Sequence, residues 1–245
     1  MEKSMKLVLA LATSLITVTA CAADDSKGKK KGGGLDKTSL TTSIANTEGS
    51  VEFKMDAWAD NWFAAYMGEM LIVEDSVPIT TERSFNAETV TFKGDYPLQL
   101  NFILKDFKEN NTGLEYIGSR KQQMGDGGFI MQLKETVSNK VVAVSDSSWA
   151  CTVIHEGPLD KSCAKSSDPV AGTSPCDFKE TSEPTFWKQA SFDDSSWKAT
   201  TIHSADAVGP KQGYDKITWD PSAKIIWGPD LETDNTLLCR VTVNK

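Results

Sequence analysis

Histidine is nearly missing from this chain: His155 and His203 are the only two among 245 residues. No Cys/His spacing of the zinc type accompanies them, which argues against a transition-metal centre. A basic surplus is missing as well, since 26 Lys and Arg stand against 34 Asp and Glu, for a formal net charge of -8. Phosphate contacts need a basic face, and the one lysine cluster, Lys29-Lys30-Lys31, lies near the N-terminus. A nucleic-acid partner is therefore not expected. The Gly-x-Ser-x-Gly elbow is absent, and neither histidine lies in a nucleophile motif. Gly125-Asp126-Gly127-Gly128 is followed by neither Lys-Ser/Thr nor a helix start, so it fails as a phosphate cradle and reads as a turn. No long stretch carries a helical period, and no repeat of solenoid or propeller length is present.

What is present begins with an export signal. Lys3 and Lys6 precede an apolar run from Leu7 to Val18, too short for a permanent membrane span but the right length for a signal-peptide core. Residues 1–20 are read as that signal peptide. Val18-Thr19-Ala20-Cys21 resembles the bacterial lipobox, in which the cysteine, here Cys21, is lipidated and anchors the mature chain to a membrane. Ala22 after it resembles the pattern of lipoproteins sent to an outer membrane or cell surface. The other reading of Ala20-Cys21-Ala22 is a simple cleavage site that releases a secreted, soluble protein. Residues 21–50 are polar, rich in Gly, Lys, Ser and Thr, and without apolar periodicity, so they read as a flexible linker.

From residue 51 the pattern is that of strands. Val51, Phe53 and Met55 alternate with polar residues, and Leu98, Leu100, Phe102 and Leu104 do so again, which is period two with one buried face. Further strands are expected at Trp62–Met67, Met70–Val73, Thr89–Phe92, Gly128–Leu133, Val141–Val144, Cys151–Ile154 and Leu237–Val243, with turn residues between them. Many short strands imply an all-β sandwich or jelly roll over residues 51–245. Cys151, Cys163, Cys176 and Cys239 form an even set in an exported chain and read as two disulfides. Three pairings are open. Cys163–Cys176 is favoured because it brackets a loop-like stretch, and Cys151–Cys239 because each partner sits at an expected strand.

Phe192-Asp193-Asp194-Ser195-Ser196-Trp197 resembles a segment of the galactose-binding-like β-sandwich modules attached to family 2 glycoside hydrolases and rhamnosidases. Ile225-Ile226-Trp227-Gly228 with Leu238–Val243, Asp56–Trp62 with Tyr66–Glu69, Gly125–Phe129 and Val144–Trp149 are similar to other parts of the same pattern. Their order differs: the Phe-to-Trp segment comes last here, as in a circular permutation. Surface termini that lie close together make such a rearrangement cheap. The resemblance implies a galactose-binding-domain-like jelly roll and, more weakly, a carbohydrate ligand.

Trp58, Asp60, Asn61 and Trp62 are the foremost ligand-site residues, because aromatic faces stack on sugar rings while Asp and Asn bond hydroxyls. The competing reading buries alternate members in the core. Asp126 joins the group as an acid on a glycine-rich segment. No catalytic residue and no cofactor is expected. Asp126, or Asp193 with Asp194, offers oxygen donors to a calcium ion, without the ligand spacing of an EF-hand. Arg120-Lys121 beside Glu115 and Tyr116 reads as a solvated loop. The expected role is that of a membrane-anchored, non-catalytic module binding a glycan or a surface protein of the cell envelope. A structural or protein-interaction sandwich without sugar affinity and a carbohydrate-active hydrolase are the alternatives.

Overall fold

The computed structural model describes residues 39–245; the expected signal peptide, Cys21 and the first part of the expected linker lie outside them. The described chain is all-β, with only a four-residue α-helix and two short 3-10 turns. Its strands are β1 (Leu40–Ile44), β2 (Val51–Asp60), β3 (Trp62–Met67), β4 (Met70–Glu74), β5 (Asn86–Gly94), β6 (Leu98–Lys105), β7 (Leu114–Glu115) and β8 (Gln123–Met124). They continue with β9 (Gly128–Glu135), β10 (Val141–Val144), β11 (Ala150–Glu156), β12 (Lys179–Glu180), β13 (Lys198–Ala199), β14 (Thr201–His203), β15 (Ile225–Trp227) and β16 (Asp234–Val243). One sheet runs β1-β5-β2-β9-β15-β14 with β10 added on β9. The other runs β12-β11-β16-β6-β3-β4 with β13 added on β11. Pairing is antiparallel except between β1 and β5.

Alternation explains how the two sheets close. On β2, Phe53, Met55, Ala57 and Ala59 face inward, and Leu98, Leu100, Phe102 and Leu104 of β6 meet them across the sandwich. Phe102, Phe129 and Trp149 fill the centre, with ring centroids 4.7 to 5.9 Å apart. The C-terminal strand β16 is interior to its sheet, between β11 and β6. Both favoured disulfides are present. Cys151–Cys239 joins directly opposed residues of β11 and β16, and Cys163–Cys176 closes a 13-residue separation. Such bonds form in oxidising compartments. Among the described residues no helix is long and apolar enough to cross a membrane.

The strand boundary at residue 51 needs correction. Leu40–Ile44, placed by the sequence reading in the linker, pairs in register with β5 from Leu40↔Ala87 to Ile44↔Thr91. Leu40 packs against the cluster around Trp58, so burial beside β5 outweighs the polar composition of this stretch.

Each sheet also has its outer face roofed by loop. Residues 205–224 cover Trp58, Phe85, Ile130 and Ile225 with Val208, Tyr214, Ile217 and Trp219. Residues 182–197 cover Ile103 and Leu238 with Trp187, Phe192 and Trp197. Phe192 and Trp197 therefore brace a roof over a sheet and do not enter the core between the sheets. Within that roof Asp193 accepts from the Ser195 backbone N–H at 3.0 Å, the local turn bond that the sequence suggests.

Candidate functional site

Because β2 turns its odd-numbered residues inward, Asp56, Trp58 and Asp60 project from the opposite face. The 205–224 roof then buries them. Trp58 is fully enclosed and donates its indole N–H to the Gln212 carbonyl at 3.0 Å. Trp62 begins β3 in the other sheet, and the Lys105 ammonium sits 4.9 Å from its ring centroid. The window from Trp58 to Trp62 thus straddles two sheets and offers no shared aromatic platform. Trp58 instead holds the backbone beside Lys211.

Asn61 is likewise a brace. Its side-chain N–H₂ donates to the Glu82 carbonyl at 3.0 Å, and its Oδ1 accepts the Phe107 N–H at 2.6 Å. Two separate loops are tied to the end of β2 by this one buried amide. They bring Glu82, Arg83 and Phe85 to the wall of one cavity and Asp106 to the wall of another.

The cavity has a volume of about 350 Å³ and is lined by Phe85, Glu115, Tyr116, Asp126, Lys211 and Gln212, among others. Asp126 reaches it because the chain on either side is stripped of side chains. A Cβ on Gly125 would stand 2.0 Å from Asp106 Oδ2, and one on Gly127 2.1 Å from the Trp227 indole. The glycine-rich segment is a close crossing over two buried side chains. Tyr116 sits at φ 53°, a conformation costly for a bulky residue, and its hydroxyl donates to the Glu82 carboxylate.

The electrostatics of this site are unusual. Asp60 is fully buried, and neither of its carboxylate oxygens has a hydrogen-bond partner; the same is true of Asp106. The Lys211 ammonium lies 3.9 Å from Asp60 Oδ2 and 3.5 Å from Asp126 Oδ2. Both contacts are longer than a charge-assisted hydrogen bond of about 2.8 Å. Burial, reinforced by the Asp126 charge, pushes the Asp60 carboxyl well above the usual carboxylate range, with Lys211 opposing. Asp106 is raised by burial and then by Asp60, Glu115 and Asp126. Burial pushes Glu115 up to about 7 although Gln123 donates to it at 2.8 Å. Burial raises Asp126 as well, and Lys211 holds it back. Burial works to lower the Lys211 ammonium, and Asp60 with Asp126 more than reverses this.

Of the residues singled out from sequence, the structure brings Asp60 and Asp126 together through Lys211 and leaves Trp58, Asn61 and Trp62 as supports. Glu115, expected in a solvated loop, is buried, while Arg120 and Lys121 beside it are exposed. Asp106 and Lys211 were not legible, because each reaches the site from a loop far along the chain. Asp194 is engaged by Arg240 at 2.7 Å and Asp193 by the Ser195 backbone. Among the described residues no group of three His, Cys, Asp or Glu side chains is placed to hold a metal ion.

A second cavity, of about 390 Å³, lies beyond Asp106 and is lined by Lys105, Lys108, His155, Glu180 and Glu183, among others. His155 is buried, stacks on Phe178 at 5.8 Å, and has no hydrogen-bond partner at either ring nitrogen. His203 lies apart, its Nε2 2.9 Å from the Gly228 carbonyl. No protein-family model, curated protein or solved structure matches this chain.

Proposed function

We propose that this chain is an exported, non-catalytic binding module of galactose-binding-like architecture, held at the cell envelope through Cys21, and that the cavity above Asp60 takes a glycan. One observation carries the reading: Asp60 is fully buried, with both carboxylate oxygens unpartnered, directly behind pocket-lining Lys211. Leaving a buried acceptor unsatisfied costs about 1–3 kcal/mol, more when it is charged. A fold keeps such a group where it serves a site, here by holding Lys211 at the cavity wall. Sugar hydroxyls can bond the lining Asp126, Glu115 and Lys211, and Phe85 and Tyr116 add apolar and aromatic surface.

A glycan array probed with the full chain tests this reading. The expected result is binding to a restricted set of glycans that falls in Asp60→Asn and Phe85→Ala while both variants keep a cooperative unfolding transition. Equal binding by the variants would move the site elsewhere.

A second reading, a carbohydrate-active hydrolase, is favoured by Glu115. A carboxyl pushed up to about 7 stays largely protonated near neutral pH, as a general acid must. Release of new reducing ends from a bound oligosaccharide, lost in Glu115→Gln, would establish this reading against the first.

A further inference from the structure

The carboxylates around the cavity outnumber their cations. Glu82, Glu115 and Asp126 line it and Asp60 lies behind Lys211; Lys211 and Arg83 are the cations at its wall. Arg83 is drawn to Glu82 at 3.4 Å. That leaves Lys211 as the partner of three acids, and its two closest contacts are loose. The Lys211 ammonium also stands 4.8 Å from the Phe85 ring centroid, so the site already favours a cation against an aromatic face.

Three classes of occupant can be weighed. A chelated metal ion needs several oxygens converging on one point, and no such group of side chains exists among the described residues. An anionic sugar would meet an acidic wall and the repulsion of at least three carboxylates. A neutral sugar supplies hydroxyl donors but no charge. An ammonium supplies three N–H donors and a positive charge. It alone answers the surplus of carboxylate at the wall, with Asp60 close behind it.

We propose that the cavity selects a ligand bearing a primary ammonium group, in its simplest form an amino sugar with a free amine, whose ammonium sits beside Asp60 and Asp126 and is compensated by them together with Glu115. The sugar part of this inference rests on the glycan reading above; the ammonium part does not.

Isothermal titration of the full chain at about pH 7, where a free amine is still charged and the Glu115 carboxyl is about half ionised, separates the two. The probes are a glucosamine trisaccharide, its N-acetylated counterpart, a glucose trisaccharide, and ethanolamine as an ammonium without a sugar ring. The expected result is that the glucosamine trisaccharide binds at least about tenfold more tightly than the acetylated and glucose forms. Asp126→Asn and Glu115→Gln should each lower that affinity about tenfold, with thermal unfolding still cooperative. Equal or tighter binding of the acetylated or glucose form would overturn the ammonium proposal and leave the glycan reading standing. Binding of ethanolamine with no preference for the trisaccharide would support the ammonium site and overturn the glycan reading. Failure of all four probes would overturn the ammonium proposal, and the glycan reading would then stand or fall with the array.

Discussion

The loop segments that roof the two outer sheet faces treat buried charge in opposite ways. Over β16 and β6, Arg240 is buried with its guanidinium satisfied. Nε donates to Asp194 at 2.7 Å, Nη1 donates to the Gln189 carbonyl at 3.1 Å and also to the Trp187 carbonyl, and the group lies over the Phe192 ring at 5.3 Å. Under the roof over β2, Asp60 is as deeply buried and its carboxylate is left without hydrogen bonds. The same device of a loop folded over a sheet thus yields a finished polar network in one place and an unfinished one in the other. A finished network serves the fold, and an unfinished one is the mark of a site.

The largest effect should come from the sheet of β11 and β16. Replacing Cys151 and Cys239 by Ala opens a separation of 88 residues and is expected to cost on the order of 4 kcal/mol, read from the urea midpoint. A loss under about 1 kcal/mol would show that this half does not depend on its cross-link. Next, Arg240→Met should lose roughly 2 kcal/mol, because carbonyls of the roof are left without a donor. Part of the loss is spared, since Asp194 is 36% exposed and water can replace its partner. A neutral outcome would remove the contrast between the two roofs.

Buried acids should reveal themselves through pH. Burial pushes Glu115 up to about 7 and Asp75, just past the end of β4, up to about 8. A carboxyl whose folded pKa is raised keeps its proton where the unfolded chain has lost it. Its contribution is full below the unfolded value, near pH 4, and is lost as pH rises through the folded value. His155 runs the other way: burial, aided by the Lys108 charge, lowers it to about 4. That contribution is present above about pH 6.5 and lost as pH falls through about 4. The ranges overlap and the carboxyls outnumber the histidine, so stability measured by urea unfolding is expected to fall from about pH 4 toward pH 8. Glu115→Gln should make the fall between about pH 4 and pH 7 shallower; an unaltered slope would count against the acidic site. The smallest effect is expected at Tyr116, whose φ of 53° suits glycine. Tyr116→Gly should change stability by no more than about 1 kcal/mol while weakening ligand binding.

How much of this was legible in the sequence follows from the physics of each part. Strands such as Trp62–Met67 and Val141–Val144 were legible to the residue, because short apolar runs bounded by turn residues mark them. The disulfide pairing was legible once cysteines were set against strands. β1 was not, since its polar residues form a strand only through the register offered by β5. The alternation of Asp56, Trp58 and Asp60 was visible, but not which face met the other sheet. Nothing local announces that residues 205–224 would roof that face. The candidate site was therefore half legible: Asp60 and Asp126 carried a signal as acids beside aromatic and glycine-rich segments, whereas Asp106 and Lys211 come from loops and Glu115 from the two-residue strand β7.

The stability of Asp60→Leu against wild type, by urea unfolding at about pH 7.5 without ligand, tests the central claim most directly. The substitution nearly keeps the shape and removes two buried oxygens that no hydrogen bond satisfies, so the account predicts a gain of about 1–2 kcal/mol, as expected where function opposes stability. A loss of about 2 kcal/mol or more would contradict it, and would make Asp60 a part of the fold in the way that Arg240 is.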